Sequence, residues 1–587
     1  MREALLPVFQ QRLAQDLFDA LWLEDLYGFR RRCQPADEGW DIVLSEGEHA
    51  RAPRRLRLFG AAAAGLRPLR VNRRAPVCCN GSGGTVELSV AELAALLEQA
   101  SWWRAPPGRF ANPFALACAQ AALATTQVPS ILARLRAEPG QLHHWEALAS
   151  LRDRPFHPLA RAKDWGATPQ AALRFGSEAG QPITLCWVAV ARAHWVTTEH
   201  SCPAGLLLTP PQQARLQHQA NRLGIDPQAY AWLPVHPWQL DYWQRTQGWH
   251  AATALDLGIG LGQAYATASL RTLALRGRSD LHLKLPLSLP LLGATRSLPA
   301  RYLHNGRQAQ QCLAQLRARD AWLAAHLQVC DESPSWAMRQ CTEAAQDPGE
   351  LACQLRRYPR QDDALQVPMA ALPVMLDDGS LPALDLLLGE ARSQETTWLA
   401  FERIAALVLE LALRCFSVGA MPELHGQNLL LAWRQGTPTS AVLRDHDSLR
   451  ICAPMLRASG LAVPDYLVAA NSPNTLLLAT PMQLLAYLQT LLVEVNLYAL
   501  LAAIAEHSGT TEAHGWQRLH RVLASVLERI SLPESLAAQV RAQLLQAPQW
   551  PFKQILHPLL QTPQAGTGMP AAMGTWPNPL LCDDAAY

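Results

Sequence analysis

Apolar and polar positions change their rhythm twice along the chain. Up to about residue 150 the pattern is mixed. "MREALLPVFQQRLAQDLFDALW" spaces its apolar residues as an amphipathic helix does, while "WDIVLS" and "RRLRLF" are strand-like. "SVAELAALLEQAS" predicts a helix opened by a capping box, Ser89 to Glu92. "CCNGSGGTVEL" predicts a hairpin or flexible loop, since it lacks the Lys-Ser/Thr ending of a phosphate-binding loop.

From 150 to 380 strands dominate. "PITLCWVAVA" reads as a buried strand, and "AYATASLRTLAL" pairs with "SDLHLKLPLSLPLL". In the latter Leu281, Leu283, Leu285, Leu287, Leu289 and Leu291 alternate, so an extended chain turns His282, Lys284 and Ser288 to the opposite face. Pro286 and Pro290 make this an edge or irregular strand. A linker is expected near "QDDALQVPMAALPVML". From 395 onward helices prevail, led by "TTWLAFERIAALVLELALRCF" and ended by Gly419 and Pro422. Two strands around a turn at "RQGTP" then carry Asp445 back beside residues 423–428. Three parts are expected: 1–150 mixed, 151–380 with the sheet, and 381–587 mostly helical.

Composition narrows the class. With 587 residues, 49% hydrophobic and 17% charged, the chain is globular and of several domains. A net charge of +2 argues against a polyanion-binding surface, so nucleic acid is not an expected partner. The most apolar run, "LQTLLVEVNLYALLAAIAEH", is interrupted by Glu494 and Asn496, which predicts a buried helix and not a membrane span. Thirteen cysteines without a CxxC pair fit the reduced thiols of a cytoplasmic protein. Of 51 basic residues only Lys163, Lys284 and Lys553 are lysines. A surviving lysine marks a place where a compact point charge serves and the planar arginine fork does not.

The stretch "PELHGQNLLLAW" sets Glu423, His425, Gln427 and Asn428 directly before an apolar run that draws them inward. Asn and Asp oxygens hold Mg²⁺ on nucleotide phosphates, and an imidazole supplies a proton or a hydrogen bond to a reacting oxyanion. Ser269, Arg271 and Thr272 of "SLRTL", with Lys284 and Arg296, can balance the remaining negative charge. These residues suit nucleotide-dependent transfer to or from an anionic substrate. A kinase-like phosphotransferase needs an Asp two residues after the His, where this chain has Gln427, and it needs a Gly-rich loop that is missing. An ATP-dependent carboxylate–amine ligase meets no such obstacle, and a non-catalytic binding protein is the third reading.

Seven segments in order resemble one family: "RPFHPLARAKDWG", "LPVHPWQ", "SLRTL", "LKLPLSLPLLGATRSLPARYL", "PELHGQNLLL", "VLRDHDSLRI" and "WPNPLL". The resemblance is to the siderophore synthetases that work without a non-ribosomal peptide synthetase, the aerobactin-synthetase (IucA/IucC) family. It implies a cupped α+β fold with a central cleft. It also implies adenylation of a carboxylate of citrate or a related acid by Mg-ATP, then attack by an amine or hydroxyl with release of AMP. By analogy Ser269, Arg271, Thr272, Lys284, Gln427 and Asp445 would lie along ATP. Glu423, Asn428 and Asp445 would hold Mg²⁺, with Asp447 an alternative to Asp445. Arg296 and His425 would grip the acid, Lys553 would close its pocket, and His157, Lys163 and His236 would line the cleft. Dimers are common among relatives, so a homodimer is one expected assembly. Where the family often carries an Arg and a Thr between Lys284 and Arg296, this chain has Pro290 and Leu292.

Overall fold

The computed structural model describes residues 5–45, 54–63, 65–79, 84–152, 154–166, 170–199, 201–246, 253–340, 343, 347–360, 363–468, 476–561 and 570–581. The architecture is α+β, with helices and largely antiparallel sheets segregated along the chain. In the first part the helices Val8–Leu23, Val90–Glu98 and Ala111–Thr125 pack through Leu17, Phe18, Leu93 and Phe114 onto a six-stranded sheet. The strands Gly39–Ser45 and Arg54–Ala62 lie where the sequence places them, and the Ser89–Glu92 capping box is present. Val77–Cys79 and Thr85–Glu87 pair as a hairpin, whose turn lies outside the described residues. Glu24, just past the first helix, accepts the backbone N–H groups of Ile555, Leu556 and His557 at 2.7–2.8 Å. That carboxylate joins the first helix to the start of the helix Leu556–Gln561.

An eight-stranded antiparallel sheet forms the middle. Its order is Trp195–Thr197, Ser335–Met338, Ala352–Arg357, Leu281–Lys284, Thr272–Leu275, Ala254–Ala266, Pro182–Ala191 and Tyr230–Val235. Leu281 and Leu283 enter the core beside Leu185, Leu273 and Leu355, as their alternation requires. The long alternating strand, however, is two strands. It stops at Lys284, and Leu287–Leu291 folds into its own hairpin with Ala294–Arg296. Pro286 has no N–H to continue the ladder, and the Leu285 N–H is taken by the Arg271 carbonyl at 2.7 Å. Ser288 therefore leaves the Lys284 face and exchanges hydrogen bonds with Gln239.

In the last part the helix Gln394–Ser417 is buried along most of its length. It covers a four-stranded sheet ordered Leu327–Val329, Thr437–Leu443, Leu429–Arg434 and Leu365–Pro368. Gln435 and Gly436, at φ +46° and +75°, close the hairpin at the expected turn, a pair of left-handed residues whose twist matches that of the strands. The expected linker is a correction. From residue 365 on it is folded structure, with Leu365–Pro368 paired to Leu429–Arg434 and with Val367, Leu372 and Val374 fully buried. That sheet thus takes strands from both sides of residue 380. Pro481–Ser508 is one helix long and apolar enough to cross a membrane, but 89% of its apolar window is buried inside the protein. It is a core helix that widens to π geometry over Leu488–Leu497.

Candidate active site

Lys284 ends its strand opposite Thr272, with its side chain 2% exposed. The polar face of the strand delivers its ammonium to Asp445 Oδ1, and Asp447 Oδ2 lies 3.4 Å away. Asp445 follows the hairpin strand Thr437–Leu443 and takes a left-handed backbone, φ +64°, that Asp tolerates better than most residues. Its N–H donates to Glu332 Oε1 at 2.8 Å, an oxygen that also accepts from Arg356 Nε at 2.5 Å. Burial alone would raise the Asp445 carboxyl, but Lys284, Arg356 and Arg271 outweigh it and hold Asp445 well below the usual carboxylate range. Burial wins at Asp447, whose carboxyl is raised.

The 423–428 loop is fixed through its backbone. The Gly426 carbonyl accepts from Ala370 N–H at 3.0 Å, Asn496 Nδ2 donates to the Leu424 carbonyl at 3.0 Å, and Arg444 Nε donates to the Gln427 carbonyl at 2.8 Å. A Cβ at Gly426 would sit 3.0 Å from Ala370 N, so a side chain there would need its neighbours to give by a few tenths of an ångström. Thus held, the loop presents Glu423, with Arg450 Nη2 at 3.5 Å from Oε1, and Asn428 Nδ2 at 3.4 Å and His425 Nε2 at 3.8 Å from Oε2. Glu423 stays below its ordinary range: burial pushes it up, but Arg450, His425 and Lys553 prevail. His425 Nδ1 accepts the Gln427 N–H at 3.2 Å, so the neutral ring carries its proton on Nε2. Burial lowers the imidazole against the opposing pull of Glu423.

The remaining cations gather around these acids. Ser269 Oγ accepts the Thr272 N–H at 3.2 Å and shapes the turn, and Arg271 Nη1 donates to the Ser297 carbonyl at 2.5 Å. Arg296, at the end of the hairpin, is lowered to about 10 by burial and by Arg271, while Asp445 and Glu423 pull the other way. Lys553, on the strand Gln549–Gln554, is lowered to about 7 by burial, then by Arg154 and Arg450, against Glu423. Among the described residues Arg271, Arg296 and Lys553 have no carboxylate within ion-pair reach.

The other expected cleft residues are placed differently. His157 is buried, with Nδ1 accepting from Leu159 N–H and Nε2 without a partner among the described residues, and it feels the charge of Arg154. His236 is fully buried. Its Nδ1 caps the helix Pro237–Arg245 and its ring packs on Phe175. Lys163 faces Glu178 beside the helix Ala111–Thr125. A crevice of about 570 Å³ beside Arg12, Asp19, Arg67 and Tyr498 holds none of the candidate residues.

Several residues of the site escaped the sequence reading: Glu146, Glu332, Arg356, Arg444 and Arg450. Glu146, fully buried, bonds Arg444 at 2.5 Å and the Ala268 N–H at 3.1 Å, tying the turn before "RTL" to the loop after the hairpin. Arg450 also lies 3.8 Å over the Tyr487 ring. Only Arg444 and Arg450 had a signal, their place inside "VLRDHDSLRI". Among the described residues no three His, Cys, Asp or Glu side chains form a ready metal cage. Mg²⁺ does not need one, because it binds through one or two carboxylates completed by phosphates and water.

Fold and site together join Lys284, at the end of a strand of the eight-stranded sheet, to Asp445, just past the hairpin of the four-stranded sheet. The chain belongs to the IucA/IucC family of siderophore synthetases: it is 32% identical to staphyloferrin B synthase of Staphylococcus aureus over 98% of both chains. Residues 141–374 match the profile of the IucA / IucC family, and residues 398–567 that of the ferric iron reductase FhuF-like transporter. Aerobactin synthase of Escherichia coli is 27% identical over 48% of this chain and 51% of its own. Among solved structures, petrobactin biosynthesis protein AsbB of Bacillus anthracis superposes with a TM-score of 0.78 at 17% identity, covering 98% of this chain and 95% of that one. ATP-bound aerobactin synthetase IucA of Klebsiella pneumoniae gives 0.73 at 20% identity, covering 97% and 99%. At such identities these two share the fold.

Proposed function

We propose that this ligase activates a carboxylate of citrate or a related polycarboxylic acid as an acyl-adenylate, and that an amine or hydroxyl then displaces AMP. A cupped fold with its cleft at the Lys284–Asp445 junction, in a cytoplasmic enzyme with reduced thiols, fits this role. The observation that carries the reading is the set of cations without a carboxylate partner among the described residues, Arg271, Arg296 and Lys553, around the fixed His425–Glu423 loop. Attack of a carboxylate on the α-phosphate brings two anions together, and cations must neutralise both. The acid's oxygen forms a bond to the α-phosphorus, the bond to the β-phosphate breaks, and pyrophosphate leaves with the electron pair. The nucleophile's lone pair then forms the amide or ester, AMP leaves, and the nucleophile releases a proton.

Arg271, Lys284, Ser269, Thr272 and Gln427 line the nucleotide side in this reading, and Arg296 offers a two-pronged grip on the acid. The Nδ1 hydrogen bond of His425 leaves Nε2–H as a donor, which supports polarising the acyl oxygen. Glu423, Asn428 and Asp445 are hard oxygen donors, two of them kept ionised, and would hold Mg²⁺, which when bound neutralises phosphate charge. AMP and pyrophosphate are the expected products in a screen of acids with hydroxylamine as surrogate nucleophile. Stoichiometric ADP would overturn the ligase and favour a phosphotransferase.

A further inference from the structure

The core helix Pro481–Ser508 is apolar and mostly buried, yet it sends the Asn496 amide to the active-site loop. Asn496 is 5% exposed, and its Nδ2 donates to the Leu424 carbonyl at 3.0 Å across 72 positions. No other donor reaches that carbonyl among the described residues. The second contact of Nδ2 is the Met369 sulfur at 3.4 Å, a weak acceptor. Two residues on from Leu424, a Cβ built on Gly426 would stand 3.2 Å from Asn496 Oδ1. Leu424 and Gly426 flank His425, so one side chain braces the backbone on both sides of the imidazole. The inner bonds of the loop converge on His425 as well. Its Nδ1 accepts the Gln427 N–H at 3.2 Å, and its carbonyl accepts from Asn428 N–H at 3.0 Å and Leu429 N–H at 3.2 Å. A shift at Leu424 therefore carries Glu423 on one side of it and His425 and Asn428 on the other.

An amide buried in an apolar helix costs free energy unless its groups are bonded. The donor partners of Asn496 lie outside its own helix, on the loop and on Met369. Gln489 is the contrast. It is 1% exposed in the same widened stretch, and its Nε2 has no partner among the described residues. That stretch of π geometry, Leu488–Leu497, ends one residue past Asn496, and such turns are frequent at functional sites. We propose that Asn496 is a positioning residue for catalysis: its amide, working from the core helix, holds the Leu424–Gly426 backbone so that Glu423 and His425 stand in register with the reacting groups. Asn496 acts through the loop and not on the substrates, and the inference rests on the roles proposed above for Glu423 and His425. Misplacing a reacting group by about 1 Å costs on the order of 10²-fold in rate, so one lost bond to this backbone is enough to be read in turnover.

The test compares Asn496→Leu and Asn496→Ala with wild type and with Gln489→Met, all as the full chain. Three readouts are taken: pyrophosphate release, ATP titration, and hydrogen–deuterium exchange over residues 423–429. In both Asn496 variants kcat should fall more than about tenfold while ATP affinity stays within about twofold. Exchange over 423–429 should quicken more than about tenfold in the same two variants, because the loop opens more often. Gln489→Met should match wild type in all three. If Asn496→Leu fails to fold by circular dichroism, Asn496→Ala decides. Unchanged kcat, unchanged loop exchange, ATP affinity that falls in step with kcat, or an equal loss in Gln489→Met would each overturn the proposal. Failure of the ligase reading looks different: wild type itself would release ADP in place of pyrophosphate. The kcat comparison then moves to that reaction, and loop exchange, which needs no turnover, judges Asn496 in either case.

Discussion

Lys553 gives the proposed acid site a pH limit that can be calculated. Its ammonium falls from 10.5 to about 7 because burial, Arg154 and Arg450 together outweigh Glu423. At about 1.4 kcal/mol for each tenfold change in proton affinity, this is up to about 5 kcal/mol against the charged form. If the charged form closes the acid pocket, kcat/KM for the acid should be level below pH 7. Above it the value should fall tenfold per pH unit, because this parameter follows the free enzyme. Lys553→Arg keeps a charge throughout and should remove the break. The stability consequence has a fixed sign. Between pH 7 and 10.5 the unfolded chain binds a proton that the folded chain does not, so this group makes stability rise with pH across that window. Below pH 7 its burial penalty is fully present. Lys553→Met should therefore stabilise the protein most at pH 6 and least near pH 10 in urea titrations. An acid kcat/KM that stays level to pH 9, or a break at 7 that survives in Lys553→Arg, would refute the reasoning.

Lys284→Met should weaken ATP binding more than tenfold by calorimetry. It should also cost about 3–5 kcal/mol in urea, since Asp445 and Asp447 lose the cation between them; wild-type ATP affinity would remove it from the nucleotide site. Asn428→Ala should lose pyrophosphate exchange and regain part of it at high Mg²⁺, whereas Arg296→Lys should not recover, because a point charge cannot replace a fork. Arg450→Met strips Glu423 of its ion pair and Tyr487 of its cation, and should cost about 3 kcal/mol. Adding Glu423→Gln should restore part of that stability, and full additivity of the two changes would argue that the pair is not coupled.

What the sequence disclosed was local. Alternation placed Leu281 and Leu283 in the core and Lys284 opposite them, and "RQGTP" located the hairpin that brings Asp445 to the loop. It could not show that Pro286 would end the strand, because the competing bond comes from Arg271 in a different strand's turn. The polar start and two prolines of residues 361–376 suggested a linker, yet Val367 is core because a strand some sixty residues later pairs with it, and Leu372 is buried just beyond that pairing. The missing half of the site is made of long-range partners. Glu146 meets Arg444 across 298 positions and Glu332 meets Asp445 across 113, and neither pairing leaves a periodic trace. His236 also serves as a local helix cap, which the sequence "HPWQ" already permits.

The three hydrogen bonds from Ile555, Leu556 and His557 to Glu24 span up to 533 positions, which sets a clock on the enzyme's birth. On a ribosome adding about 5–20 residues per second, the Glu24 carboxylate waits roughly half a minute to two minutes for its partners. Lys553 emerges only with them. A stalled nascent chain already carrying Lys284, Arg296 and His425 still lacks the clasp and the lysine beside it. Such fragments should leave cellular ATP alone, and competence should arrive late, only once the strand Gln549–Gln554 and the three donors after it have been made.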